Sequence, residues 1–203
     1  LSVPVLTAVA AVGRHHHGRP AVVLIDGPSG AGKSTLADAV LAAWSGPLTP
    51  TLVRLDDIYP GWGGLDAAVE HLGAHLLRPR HDGETAAWRR HDWVTGRSAE
   101  WHSVDPARPL LVEGCGALAA AHAGWSDVRV WLDADDGIRK QRALDRDGEV
   151  FESHWDQWQR DWDRYRARER PENWATVRLT ATPGPVGPGG STPNPGHRSK
   201  LDV

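Results

Sequence analysis

The segment of the 203-residue chain most suited to chemistry is Gly27-Pro28-Ser29-Gly30-Ala31-Gly32-Lys33-Ser34, followed by Thr35. It fits the pattern GxxxxGK[ST] and stands between an apolar run, AVVLID, and a helical pattern, STLADAVLAAW. Glycines at these places let successive backbone N–H groups turn inward around a phosphate. A helix opening at Lys33 points its positive end at the same anion. Lys33 would then reach the outer phosphates of a nucleotide, and the Ser34 hydroxyl would bind Mg²⁺. The chain has three Lys against twenty Arg, and it keeps a Lys here, where a compact ammonium suits the site better than a planar fork.

Carboxylates and guanidiniums at other apolar-run ends extend this set. Asp56 and Asp57 close the run before Tyr59, and Glu113 closes Leu110-Leu111-Val112. In a parallel sheet the carboxyl ends of the strands meet in the ligand crevice. Asp56 could there accept the proton of an attacking hydroxyl, and Glu113 could hold Mg²⁺. Each has a plainer reading as a helix or turn cap. Arg139, Arg142 and Arg146 fall at i, i+3 and i+7 on a helical pattern, which suits a phosphate clamp or a solvated face balanced by Asp135, Asp136 and Asp147. The pair His71 and His75 lacks a third ligand, and Cys115 has no neighbour in sequence that would activate its thiol.

These groups need a frame, and the pattern of short apolar runs separated by helical stretches predicts a parallel sheet wrapped by helices. Five strands are expected, at Ala21–Asp26, Thr51–Asp56, Leu110–Glu113, Val128–Asp133 and Thr176–Leu179. Leu65, Val69, Leu72 and Leu76 predict a helix that Pro79 ends. Residues 80–108 read as a loop or hairpin excursion on the substrate side, with Trp88, Trp93 and Trp101 among charges. Phe151, Trp155, Trp158, Trp162 and Tyr165 make an aromatic stripe that reads as core packing. Val3–Val12 reads as an N-terminal helix and His15–His17 as an exposed run. One domain over 1–180 is expected, with a Pro/Gly-rich disordered tail over 181–203.

Composition removes several classes of function. Lys+Arg 23 against Asp+Glu 26 gives a net charge of −3, which argues against a nucleic-acid or membrane coat. One cysteine excludes an intrachain disulfide and a cysteine-rich zinc module, and it suits a cytoplasmic setting. The guanine-reading NKxD and the LSGGQ of transport ATPases are absent.

Taken in order, GPSGAGKST, DDIY, HDWVTGR, VEG and LDADDGIRKQRALDRD resemble the uridine kinase branch of the P-loop kinases, which includes phosphoribulokinase and pantothenate kinase. The resemblance spans about residues 20–180 and implies a three-layer α/β fold of the nucleoside-monophosphate-kinase type. It implies ATP and Mg²⁺ as cofactors and transfer of the γ-phosphate to a small-molecule hydroxyl. The family's DxFY motif places a catalytic, metal-facing Asp at Asp56 and a pocket tyrosine at Tyr59. Its strand-end Glu falls on Glu113. Its arginine helix, which forms a lid over 136–150, falls on Arg139, Arg142 and Arg146. The nucleoside-pocket motif YDFxxHxR maps onto His91, Asp92, Trp93 and Arg97, but His91 replaces its tyrosine and Gly96 its histidine. Base specificity therefore does not carry over. Two other readings stay open: a nucleoside-monophosphate kinase, and a regulatory ATP-binding protein with no small-molecule acceptor.

Overall fold

In the computed structural model, residues 19–181 are described, with backbone only for 146–150. The expected N-terminal helix at Val3–Val12, the His15–His17 run, the Pro/Gly-rich stretch 182–203 and the side chain of Arg146 lie outside the described residues.

Five strands form one sheet: β1 (Val22–Asp26), β2 (Thr51–Arg54), β5 (Leu110–Glu113), β6 (Val128–Asp133) and β7 (Val177–Thr180). Their order is β2-β5-β1-β6-β7, so the strand feeding the glycine-rich loop is central. All four pairings are parallel, with Val22 opposite Leu110 and Val23 opposite Val128. Such strands are buried on both faces, and β1 is apolar from Val22 to Ile25 for that reason. Val22 and Leu24 pack into one core with Val112, Trp131 and the aromatic stripe. Val23 and Ile25 pack into the opposite core with Leu36, Ala37 and Val40 of α1 (Lys33–Ala42).

β2 ends at Arg54, two residues before the expected limit. Leu55–Asp57 form a 3₁₀ turn, so Asp56 sits just past the strand rather than on its last residue. The helix after it also departs from expectation. α2 (Leu65–His71) runs through a π-helical stretch, Leu72–Leu77, into α3 (Arg78–His81), so Pro79 does not end it. The π register bonds Arg78 N–H to the Gly73 carbonyl. Pro79 then lies in the first turn of the next α segment, where its missing N–H is not needed. The excursion is a hairpin, β3 (Ala86–Asp92) antiparallel to β4 (Arg97–Val104), separate from the main sheet.

The segment expected as a lid and the aromatic stripe form one helical element, α4 (Asp136–Glu169), opened by the Asp135 carboxylate accepting from Gly137 and Ile138 N–H. If α4 were straight, residues 139 and 159 would be about 30 Å apart. Instead the Arg139 guanidinium donates to Gln159 Oε1 at 2.9 Å and lies over the Trp155 ring at 5.6 Å. α4 therefore doubles back between Lys140 and Trp155, giving two arms. The second arm buries Phe151, Trp155, Trp158, Trp162 and Tyr165 against the sheet, as the stripe predicts.

Candidate functional site

Residues 27–32 turn from β1 into α1, and two glycines there admit no side chain. A Cβ on Gly27 would lie 2.0 Å from the Leu132 carbonyl oxygen, and one on Gly30 would lie 1.9 Å from that of Arg139. Both have positive φ, 150° and 78°. The loop is thus pressed between the end of β6 and the first arm of α4.

Lys33 is buried inside this loop. Its ammonium donates to the carbonyls of Gly27 at 2.9 Å and Pro28 at 3.0 Å and touches Cys115 Sγ at 3.4 Å. Ser34 follows on the first turn of α1, and its hydroxyl donates to Glu113 Oε1 at 2.9 Å. Thr35 is exposed. Glu113, 3% exposed at the end of β5, also accepts from Arg54, whose other nitrogen holds Asp38 at 2.7 Å. Burial raises the Glu113 pKa, and the charge of nearby Asp56 adds to that rise. Lys33, Ser34, Glu113 and Asp56, which come from three different segments, therefore share one site.

Hard oxygens dominate that site: a serine hydroxyl, a buried carboxylate and a second carboxylate close enough to repel it. This set fits Mg²⁺, which takes few protein ligands and completes its shell with water and phosphate. Among the described residues no group of three or more His, Cys, Asp or Glu is placed to hold a metal ion. His71 instead accepts from the Arg89 N–H.

The expected substrate-side residues divide. Trp93, half-buried, donates its indole N–H to the Asp56 carbonyl at 2.8 Å, tying the hairpin to the β2 turn. Trp93 also packs on Trp62 and on His91, whose buried ring has its pKa lowered by desolvation. Tyr59 is fully buried, and its hydroxyl donates to the Cys115 carbonyl at 2.7 Å. Asp92 accepts from Val94 and Thr95 N–H and shapes the hairpin tip, where Arg97 is exposed. Of the arginine row, Arg139 is buried and held by Asp136 and Gln159, whereas Arg142 is exposed. Arg139 lines a cavity of about 350 Å³ with Pro28, Lys140 and Arg166.

Four contributions escape a reading by motif. Asp26, 0% exposed, accepts from Gly27, Gly116 and Leu118 N–H and from the Tyr165 hydroxyl, which locks the loop's root to the turn after β5 and to α4. Burial raises its pKa against those bonds. Cys115 lies against Lys33 and Ser29, and burial pushes its thiol up. Trp62 stacks on Phe151 and His154. Arg54 anchors Glu113. An acidic residue immediately before the first loop glycine was the one local signal for Asp26.

The sheet order and the glycine-rich loop after β1 give the chain an α/β fold like that of solved P-loop kinase structures. The fold is similar to that of a possible uridine kinase from Bacillus stearothermophilus, with a TM-score of 0.59 at 18% identity over 85% of this chain and 95% of that one. It is also similar to a protein of Silicibacter sp. TM1040 provisionally named a fructose transport system kinase, with a TM-score of 0.52 at 16% identity over 90% and 99%. No family model and no curated protein matches the chain. Among the described residues no helix is long and apolar enough to cross a membrane.

Proposed function

We propose that the protein is an ATP- and Mg²⁺-dependent kinase that transfers the γ-phosphate to a hydroxyl of a small molecule. The observation that carries this reading is the 2.9 Å contact of Ser34 with Glu113, made beside Lys33 and Asp56 at the mouth of the phosphate loop. Both similar folds bear kinase names, which agrees with it.

In this reading Lys33 leaves the Gly27 and Pro28 carbonyls for the β- and γ-phosphates, whose oxygens offer it a stronger, charged partner. Ser34, Glu113 and Asp56 would hold Mg²⁺, which would neutralise charge on the phosphate oxygens when bound. Asp56 takes the proton of the acceptor hydroxyl as the acceptor oxygen bonds to the γ-phosphorus. The bond from that phosphorus to the β-phosphate oxygen breaks, and ADP leaves. Arg139 reaches the transferred group by exchanging Asp136 and Gln159 for phosphate as the first arm of α4 closes, with Arg142 and Arg146 following on that arm. Trp93 and His91 form the acceptor side, with Asp92 and Arg97 at the hairpin rim, and the buried Tyr59 ties that side to the Cys115 carbonyl.

Asp56→Asn tests this arrangement. Loss of a general base costs about a hundredfold to ten-thousandfold in turnover, while ATP affinity measured by calorimetry stays near the parent value. Unchanged turnover in the variant would remove Asp56 from the chemistry.

A further inference from the structure

A string of hydrogen bonds joins the second arm of α4 to the phosphate loop. Trp158, 2% exposed, donates its indole N–H to Ser29 Oγ at 2.8 Å. An indole nitrogen only donates, so the Ser29 hydroxyl must be the acceptor here, and its own proton is free to turn to Cys115 Sγ, 3.7 Å away. The Cys115 thiol in turn donates to the Gly27 carbonyl at 3.3 Å. Every donor in the series points the same way, from helix to loop, and the last acceptor is one of the two carbonyls that hold Lys33. Tyr59 closes the cluster, edge-on to Trp158 at 4.9 Å and bonded to the Cys115 carbonyl.

The geometry points to Trp158 as a positioning residue for the phosphate loop: through Ser29 it fixes the loop in the shape that receives the nucleotide's phosphates. This inference rests on the ATP-binding reading above. Trp158 suits the role because its ring is rigid and clamped in the core. Its buried N–H resists release, since an unpaired donor there is costly. Ser29 lies between Gly27 and Gly30, the two positions where Leu132 and Arg139 press on the backbone. The loop is therefore held from β6, from the first arm of α4 and, through this side chain, from the second.

The test is a double-variant cycle on the full chain, with Mg-ATP affinity read by calorimetry. Trp158→Phe keeps a ring in the core and deletes the donor. Loss of one neutral hydrogen bond predicts affinity about fivefold weaker, with KM for ATP rising more than kcat falls. In the Ser29→Ala background the same change should have no further effect, because the acceptor is already gone. An equal weakening in both backgrounds would overturn the inference. So would a Trp158→Phe protein that melts earlier yet binds Mg-ATP as the parent does, because that pattern marks a packing role alone. The parent protein is the control: if it fails to bind Mg-ATP, the kinase reading falls and this inference with it, whereas parent binding with no effect of Trp158→Phe removes the inference alone.

Discussion

Lys33 braces the glycine-rich loop from within, and the proposed kinase chemistry gives it a second role. Its ammonium satisfies two loop carbonyls, and the same charge is the natural partner of an incoming phosphate. Lys33→Met should therefore weaken Mg-ATP binding about tenfold to a hundredfold, as expected for a lost hydrogen bond to a charged group. Calorimetry would read the loss, and an unchanged affinity would mean that the ammonium only braces the loop. Glu113 differs in kind. Arg54 and Ser34 hold it in place, but its burial beside Asp56 disfavours its charge, a condition that a divalent cation relieves. Glu113→Gln keeps the shape and removes the charge, so Mg²⁺ should be needed at higher concentration for the same turnover. A Mg²⁺ titration of parent and variant checks this.

Elements, rather than residues, decide whether the loop keeps its shape. Gly30 has φ of 78°, and its missing Cβ leaves room for the Arg139 carbonyl. Gly30→Ala should destabilise the protein by about 1–3 kcal/mol, the usual cost of a forced backbone, and more if α4 must move aside. A urea unfolding series would show it. How far these elements could be read from sequence depends on how local their causes are. The central strands β1 and β5 were legible because parallel strands buried on both faces are apolar up to their last residue, and the loop was legible because its glycines are spaced by backbone geometry. The ends were less so. Asp56 lies on a 3₁₀ turn past β2, and the helix runs through Pro79 because a π stretch shifts its register, a change that no sequence period marks. The doubling back of α4 was hidden too. It depends on Arg139 meeting Gln159 and Trp155, contacts set by packing rather than spacing. Among the candidate site residues, the grouping of Lys33, Ser34 and Glu113 was legible from motif. Asp26, Arg54 and Trp158 were not, because their roles lie in partners 59 to 139 positions away.

At the scale of the whole molecule, Asp26 is where the parts meet. It joins β1, the turn after β5 and the second arm of α4 beneath the phosphate loop. Burial raises its pKa above the ordinary 3.8, so in a window above that value the folded protein holds a proton that the unfolded chain has lost. The contribution of Asp26 to stability is then full below its unfolded pKa and declines as pH rises through the folded one. Asp26→Asn removes this titration. The stability of the parent minus that of the variant, from urea unfolding at several pH values, should shrink as pH rises through that window. A difference independent of pH would mean that the four hydrogen bonds offset the cost of burial completely.

The central claim is phosphoryl transfer to a small-molecule hydroxyl, and one measurement meets it directly. The full chain is incubated with ATP, Mg²⁺ and a panel of nucleosides, nucleotides, sugars and vitamin alcohols. ADP release and the mass of each acceptor are followed together. The account predicts that at least one hydroxyl acceptor gains a phosphoryl group in step with ADP and that Asp56→Asn abolishes both. ADP release that no acceptor in the panel stimulates, with no acceptor gaining mass, would contradict it.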